Sequence, residues 1–210
     1  MHPITRSALT FMVFTLFVTV GMSPPVSAQQ DLGFRYIDGK CVNQEGEEGM
    51  NPDYPGQCGD LRGADLREMP LEGIDFSGAN LRGAQLNNAK LRGAIFFGAY
   101  LHSADLRNAD LRVTNFTDAS MERVQLHRAD LTGAVMRGAE LSRAEMQQAI
   151  LRDVDFSEAN LQSAVLYGAD LAGADLTRTR LNRAMADGRT VLPQPLNQSD
   201  LARRGVRFRG

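Results

Sequence analysis

Residues 78–112 read GANLRGAQLNNAKLRGAIFFGAYLHSADLRNADLR, and the fold is decided by how this stretch is read. A leucine or phenylalanine falls at 81, 86, 91, 96, 101, 106 and 111, and alanine stands two residues before each. Followed outward, the large residue recurs at every fifth position from Leu61 to Leu181 without a slip, always as Leu, Phe or Met. The small position is less strict, with Met69, Ile74, Thr114, Val124, Val154 and Thr179 as exceptions. A period of five fits neither a helix (about 3.6) nor a continuous strand (about 2). Inside one repeat, however, small-x-large is a two-residue spacing, so an extended segment points both side chains the same way. The remaining two residues are free to turn a corner, and many of them bring glycine, as at Gly63, Gly83, Gly93, Gly98 and Gly133. Glycine tolerates the positive φ that some tight turns need. Each repeat is therefore expected to be a short strand and a bend, with its small and large residues both facing inward.

The phenylalanines fix the number of bends in a coil. Phe76, Phe96, Phe116 and Phe156 are separated by multiples of 20, Met136 fills the missing rung, and no other central position is Phe. A 20-residue coil with four sides stacks these five on one face, like on like, as a parallel in-register ladder does. About six coils, each rising about 4.8 Å, predict a column about 30 Å tall. Such a column exposes unpaired backbone at both ends, and its flanks read as caps. Residues 29–58 are non-repetitive and rich in Gly, Asn, Asp and Glu, and residues 185–210 carry the turn signals Asp187-Gly188, Pro193 and Pro195. Ser199 is placed to N-cap a short helix, Asp200 to Arg204, ended by Gly205. Arg203, Arg204, Arg207 and Arg209 read as a solvated tail.

The repeat resembles that of the pentapeptide-repeat proteins, A(D/N)LXX, as in Gly63-Ala64-Asp65-Leu66-Arg67, Gly78-Ala79-Asn80-Leu81-Arg82 and Gly168-Ala169-Asp170-Leu171. The resemblance covers residues 59–184. It implies an all-β fold, a right-handed quadrilateral parallel β-helix, in keeping with the right-handed rule for parallel crossovers. The stretch Gly188-Arg189-Thr190-Val191-Leu192-Pro193 is similar to the segment that often follows the last coil in this family. No single activity is implied, although some cytoplasmic members mimic DNA and protect gyrase.

Residues 1–28 have the parts of a secretory signal. His2 and Arg6 give a positive start, the chain is almost wholly apolar from Ala8 to Met22, Pro24 and Pro25 follow, and Val26-Ser27-Ala28 offers small residues for cleavage after Ala28. The apolar run is shorter than the roughly 20 residues a membrane span needs, so a periplasmic or secreted chain without stable membrane insertion is expected. Cys41 and Cys58 are the two cysteines, and in an oxidising compartment they read as a disulfide. Such a bond stabilises by about 3 kcal/mol on the chain-entropy account.

Reaction chemistry is not in view. The formal net charge is −2, and residues 59–184 hold 17 acidic and 15 basic side chains. That balance creates no single-sign field to draw nucleic acid or an acidic membrane. His102 and His127 follow central leucines on adjacent faces, and carboxylates such as Asp105, Asp110, Asp130, Asp170 and Asp175 point outward with no cleft around them. No catalytic, metal or cofactor residue is expected. Two surface features stand out. Arg92, Arg112 and Arg152 share an outward column beside Asp110, Asp130 and Asp170, which is either a self-neutralising charge ladder or an anion stripe for a wall polymer or phosphate groups. Ile95, Phe97 and Val135 point outward on the phenylalanine face with Tyr100 round the corner, forming a candidate partner-contact patch. The expected function is a rigid exported module, structural or binding a protein partner, and not an enzyme. The alternative is a DNA-mimicking, gyrase-interacting protein, disfavoured by the export signal and the balanced charge.

Overall fold

The computed structural model describes residues 34–37, 40–43 and 58–209, with side chains from residue 59; the expected signal segment and the side chains of Cys41 and Cys58 lie outside the described residues. β1 (Phe34–Ile37) pairs antiparallel with β2 (Lys40–Asn43). β3 (Cys58–Asp60) pairs parallel with β4 (Ala79–Asn80) and opens the ladder. From there parallel bridges advance in steps of 20, as Asp65↔Gln85, Pro70↔Lys90, Asp75↔Ile95 and Asn80↔Tyr100, and so on to Val165↔Met185. The chain is a parallel β-helix solenoid in which each repeat contributes one bridge.

Each side holds a single bridged residue rather than the short strand expected from the sequence, and the hydrogen bonds explain why. The Leu81 N–H donates to the Tyr100 carbonyl at 2.7 Å, and the Gly83 N–H to the His102 carbonyl at 3.0 Å. The Tyr100 N–H donates back to the Ala79 carbonyl at 2.9 Å. The Ala84 N–H is spent on closing its own turn, onto the Leu81 carbonyl at 3.0 Å. A turn that closes inside every repeat leaves only the residue before the central one to bridge along a side.

The second corner residue has positive φ at every repeat from Gly63 to Arg183, between 52° and 73°. Ten of these residues are glycines and fifteen are not. Glycine is thus helpful but dispensable there. A left-handed L-residue is strained by about 1–2 kcal/mol, and the ladder above and below each corner holds it in place regardless.

The central and small side chains fill the interior. Phe76, Phe96 and Phe116 stack in one file, with ring centroids 5.2 and 4.7 Å apart. Val124 and Val154 replace alanine without leaving the core. Thr114 is buried with its hydroxyl donating to the Leu111 carbonyl at 2.6 Å, and Thr179 donates to the Phe156 carbonyl at 2.9 Å. Both hydroxyls are thereby satisfied, which is what makes a polar group tolerable there.

The last coil is closed by β5 (Met185–Asp187), α1 (Gln198–Arg203) and β6 (Arg207–Arg209), with β6 parallel to β5. The residue that caps α1 is Asn197, not Ser199. Asn197 accepts the Asp200 N–H at 3.1 Å while the Asp200 carboxylate accepts the Asn197 N–H at 3.0 Å. Ser199 has Ala202 three residues on, which cannot complete such a box. Gly205 ends the segment at φ 89°. The arginine tail is docked rather than loose. Arg204 donates to the carbonyls of Leu176 and Thr179 at 2.7 and 3.0 Å, capping acceptors that the final coil leaves over, and Leu201 and Val206 are buried beneath it. Arg207 and Arg209 stay exposed on β6, where charge discourages another chain from adding to the edge.

Candidate functional site

The surface is organised by one leftover donor. In each repeat the ladder and the turn use every peptide N–H except that of the residue after the central one. An Asp or Asn just before the central residue supplies the acceptor. Asp75 takes the Ser77 N–H at 2.8 Å, Asp130 the Thr132 N–H at 3.0 Å, Asp155 the Ser157 N–H at 2.8 Å and Asp175 the Thr177 N–H at 2.8 Å. This side-chain turn is the reason for the Asp and Asn of the repeat, a role that the five-residue period alone does not reveal. Where arginine follows the central leucine, the same carboxylate also grips the guanidinium through Nε and Nη2. These distances are 2.8 and 2.6 Å for Asp105–Arg107, and 2.7 and 2.6 Å for Asp110–Arg112. Asp60–Arg62 and Asp65–Arg67 repeat the clamp. The Arg112 side chain beside Asp110 holds its carboxyl below the usual aspartate range. At the last coil, burial pushes Asp187 up, but donors from Arg189 and the Gly168 N–H outweigh it and leave the carboxyl at about 2.

The arginine column is largely occupied by this chemistry. Arg112 is clamped by Asp110, with its Nε 3.9 Å from Asp130, and Arg152 Nε donates to Asp170 at 2.6 Å. Arg92 lies in the field of Asp110. His102 and His127 do not meet: His102 Nδ1 is 3.4 Å from Glu122, and His127 Nδ1 is 3.9 Å from Glu145. Among the described residues, no group of three or more His, Cys, Asp and Glu is placed to hold a metal ion. Among them, too, no helix is long and apolar enough to cross a membrane.

The apolar residues of the phenylalanine face are exposed, and the ladder sets them in order. Ile95 bridges Asn115, which bridges Val135, so the two aliphatic side chains bracket one polar rung. Val113, two residues before Asn115 and 56% exposed, extends the set at the corner. Sequence reasoning missed it; the signal was a β-branched residue at a corner position that elsewhere is often glycine. Phe97 lies toward the next corner and is 37% exposed. Tyr100 is only half-exposed, with the Arg82 guanidinium carbon 4.7 Å from its ring centroid, a cation–π contact.

A family profile described as pentapeptide repeats, in eight copies, matches residues 60–96, 94–133, 119–157 and 155–188. Among solved structures the chain is similar to HetL, a pentapeptide repeat protein involved in heterocyst differentiation regulation from the cyanobacterium Nostoc sp. strain PCC 7120. The identity is 32%, over 63% of this chain and 69% of that one, with a TM-score of 0.44. It is similar to alr5209, a pentapeptide repeat protein from Nostoc PCC 7120, at 29% identity over 52% of this chain and 84% of that one, with a TM-score of 0.31. It is also similar to QnrB1, a plasmid-mediated fluoroquinolone resistance protein, at 17% identity over 66% of this chain and 81% of that one, with a TM-score of 0.43. No curated protein sequence matches the chain. With the five-residue period matched from residue 60 to 188, the chain belongs to the pentapeptide-repeat family, a right-handed β-helix solenoid.

Proposed function

We propose that this chain is an exported, non-enzymatic interaction module, a stiff quadrilateral column of about six coils that docks a protein partner in the periplasm or outside the cell. The observation that carries the reading is the exposed apolar set of Ile95, Val113, Val135 and Phe97 on an otherwise polar wall. Ile95 and Val135 occupy the position where other repeats place Asp or Asn to accept the leftover N–H. Such a hydrogen bond contributes about 1 kcal/mol, so a column selected for stability alone favours Asp there. A pre-formed surface loses little freedom on binding. Export rests on the apolar run and small-residue site before Gln29, and the expected Cys41–Cys58 bond suits that compartment. A duplex mimic needs an extended acidic face, whereas Asp60, Asp65, Asp105 and Asp110 are each neutralised by an arginine of their own repeat.

The test is capture from the periplasmic or secreted fraction by the wild type and by Ile95→Asp/Phe97→Asp. Aspartate at 95 restores the side chain that the fold prefers, so the variant should melt no lower than the wild type. A partner retained by the wild type and lost by the variant supports the reading. Identical capture by both removes it.

A further inference from the structure

The left-handed corners segregate their charges. Five arginines stand at such positions: Arg123, Arg128, Arg143, Arg178 and Arg183. Arg128 donates to Gln148 at 2.8 Å, and Arg178 lies 3.7 Å from Glu158. The other three share one corner column, the one following Met121, Leu141 and Leu181, and among the described residues they engage no carboxylate. Acidic residues at left-handed positions, Asp118, Asp153 and Glu158, fall on other corners.

Arg123, Arg143 and Arg183 line a groove of about 790 Å³. Beside them run Ser142, Gln162 and Asn182, which offer neutral donors and acceptors. The groove holds one carboxylate, Glu122, and His102 lies 3.4 Å from it. The balance is positive. Arg123 and Arg143 are one coil apart, about 4.8 Å, and Arg183 stands two coils further on, about 10 Å. The guanidiniums therefore form a line along the column axis, not a cluster for one compact anion. A planar fork of this kind matches carboxylates bidentately, and the alternating hydroxyl and amide groups match sugar hydroxyls. No aromatic side chain lines the groove, so it lacks the stacking platform on which single-stranded nucleic acid sites depend.

We propose that this corner binds an extended anionic polysaccharide of the polyuronate type, its chain lying along the column axis. The apolar set around Val113 lies two corners away, so a protein partner and a polysaccharide can be held together. The site is independent of the protein-docking reading.

The test is calorimetric titration of the purified full chain with polygalacturonate, with neutral dextran and oligothymidylate as parallel arms. The variants are Arg123→Gln/Arg143→Gln/Arg183→Gln and, as control, Arg112→Gln/Arg152→Gln. Glutamine is compatible with the corner, since Gln148 already adopts it. Three ionic contacts predict binding about 20-fold weaker on going from about 50 to about 200 mM salt, by the counterion-release slope of a single-stranded polyanion. The triple variant should lose at least about tenfold, the control variant should bind as the wild type does, and dextran should not bind. The proposal is overturned if polygalacturonate fails to bind or the triple variant binds equally well. It also falls if the control variant weakens to the same extent, or if dextran or oligothymidylate binds as tightly.

Discussion

Val113 is the residue most at odds with its backbone. Its φ is +52°, and it is the β-branched member of the fifteen non-glycine corners. Left-handed backbone strains an ordinary L-residue by about 1–2 kcal/mol, and branching at Cβ places valine at the upper end. Asparagine tolerates this region better, and Asn88 and Asn108 already occupy it. Val113→Asn should therefore recover roughly 1–1.5 kcal/mol. Against that stands the apolar contact of a side chain that is 56% exposed, about 0.5 kcal/mol. The net gain is about 0.5–1 kcal/mol, or a rise of about 1–4 °C in melting temperature for a chain of this size. The converse change is available at the same corner one coil earlier. A Cβ added at Gly93, φ +70°, meets nothing within 4 Å, so Gly93→Val tests strain without a clash. Its expected effect is a fall of about 2–4 °C, the strain being partly offset by the freedom glycine has in the unfolded chain. Thermal melts followed by far-ultraviolet circular dichroism measure both. A Val113→Asn variant that melts at or below the wild type, beside a neutral Gly93→Val, would refute the idea that these corners are strained.

Three further outcomes are expected. Leu111 is fully buried, so Leu111→Lys forfeits about 2 kcal/mol of burial and leaves an ammonium without a partner; soluble expression should disappear on fractionation. Asp187 is a stronger acid in the folded chain, about 2 against an ordinary 3.8, so its contribution is complete above 3.8 and is lost as pH falls through about 2. Melting temperature should drop across that window, and Asp187→Asn should flatten part of the drop; an unchanged acid limb would count against the pairing. Reduction with dithiothreitol should lower the melting temperature through the expected Cys41–Cys58 bond, and an unmoved transition would argue against that bond.

Much of the interior was legible because one period governs it. The phenylalanine file follows from spacing alone, since the large side chains have nowhere else to go once the coil is 20 residues long. The corners were legible in place but not in conformation. Glycine marked some of them, while Arg123, Val113 and Glu158 adopt the same φ because neighbouring coils impose it. The Asp clamps were hidden for a different reason, since the donor they satisfy exists only after the ladder has used up the others. Arg204 was misread as tail because charge content says nothing about orphaned carbonyls, which appear only where the stacking stops. Asn197 was missed because Ser199 looks equally good until the partner three residues on is considered.

The uniform 20-residue step between bridged residues has an evolutionary corollary. Duplicating any whole turn lengthens the wall and leaves each existing rung seated on an equivalent neighbour, whereas a single inserted residue would swing all later side chains onto the wrong face. The step departs from 20 at Asp170↔Val191, where it is 21, beside the terminal cap. A protein of this design should therefore vary in height by multiples of one turn and confine its irregular edits to the ends.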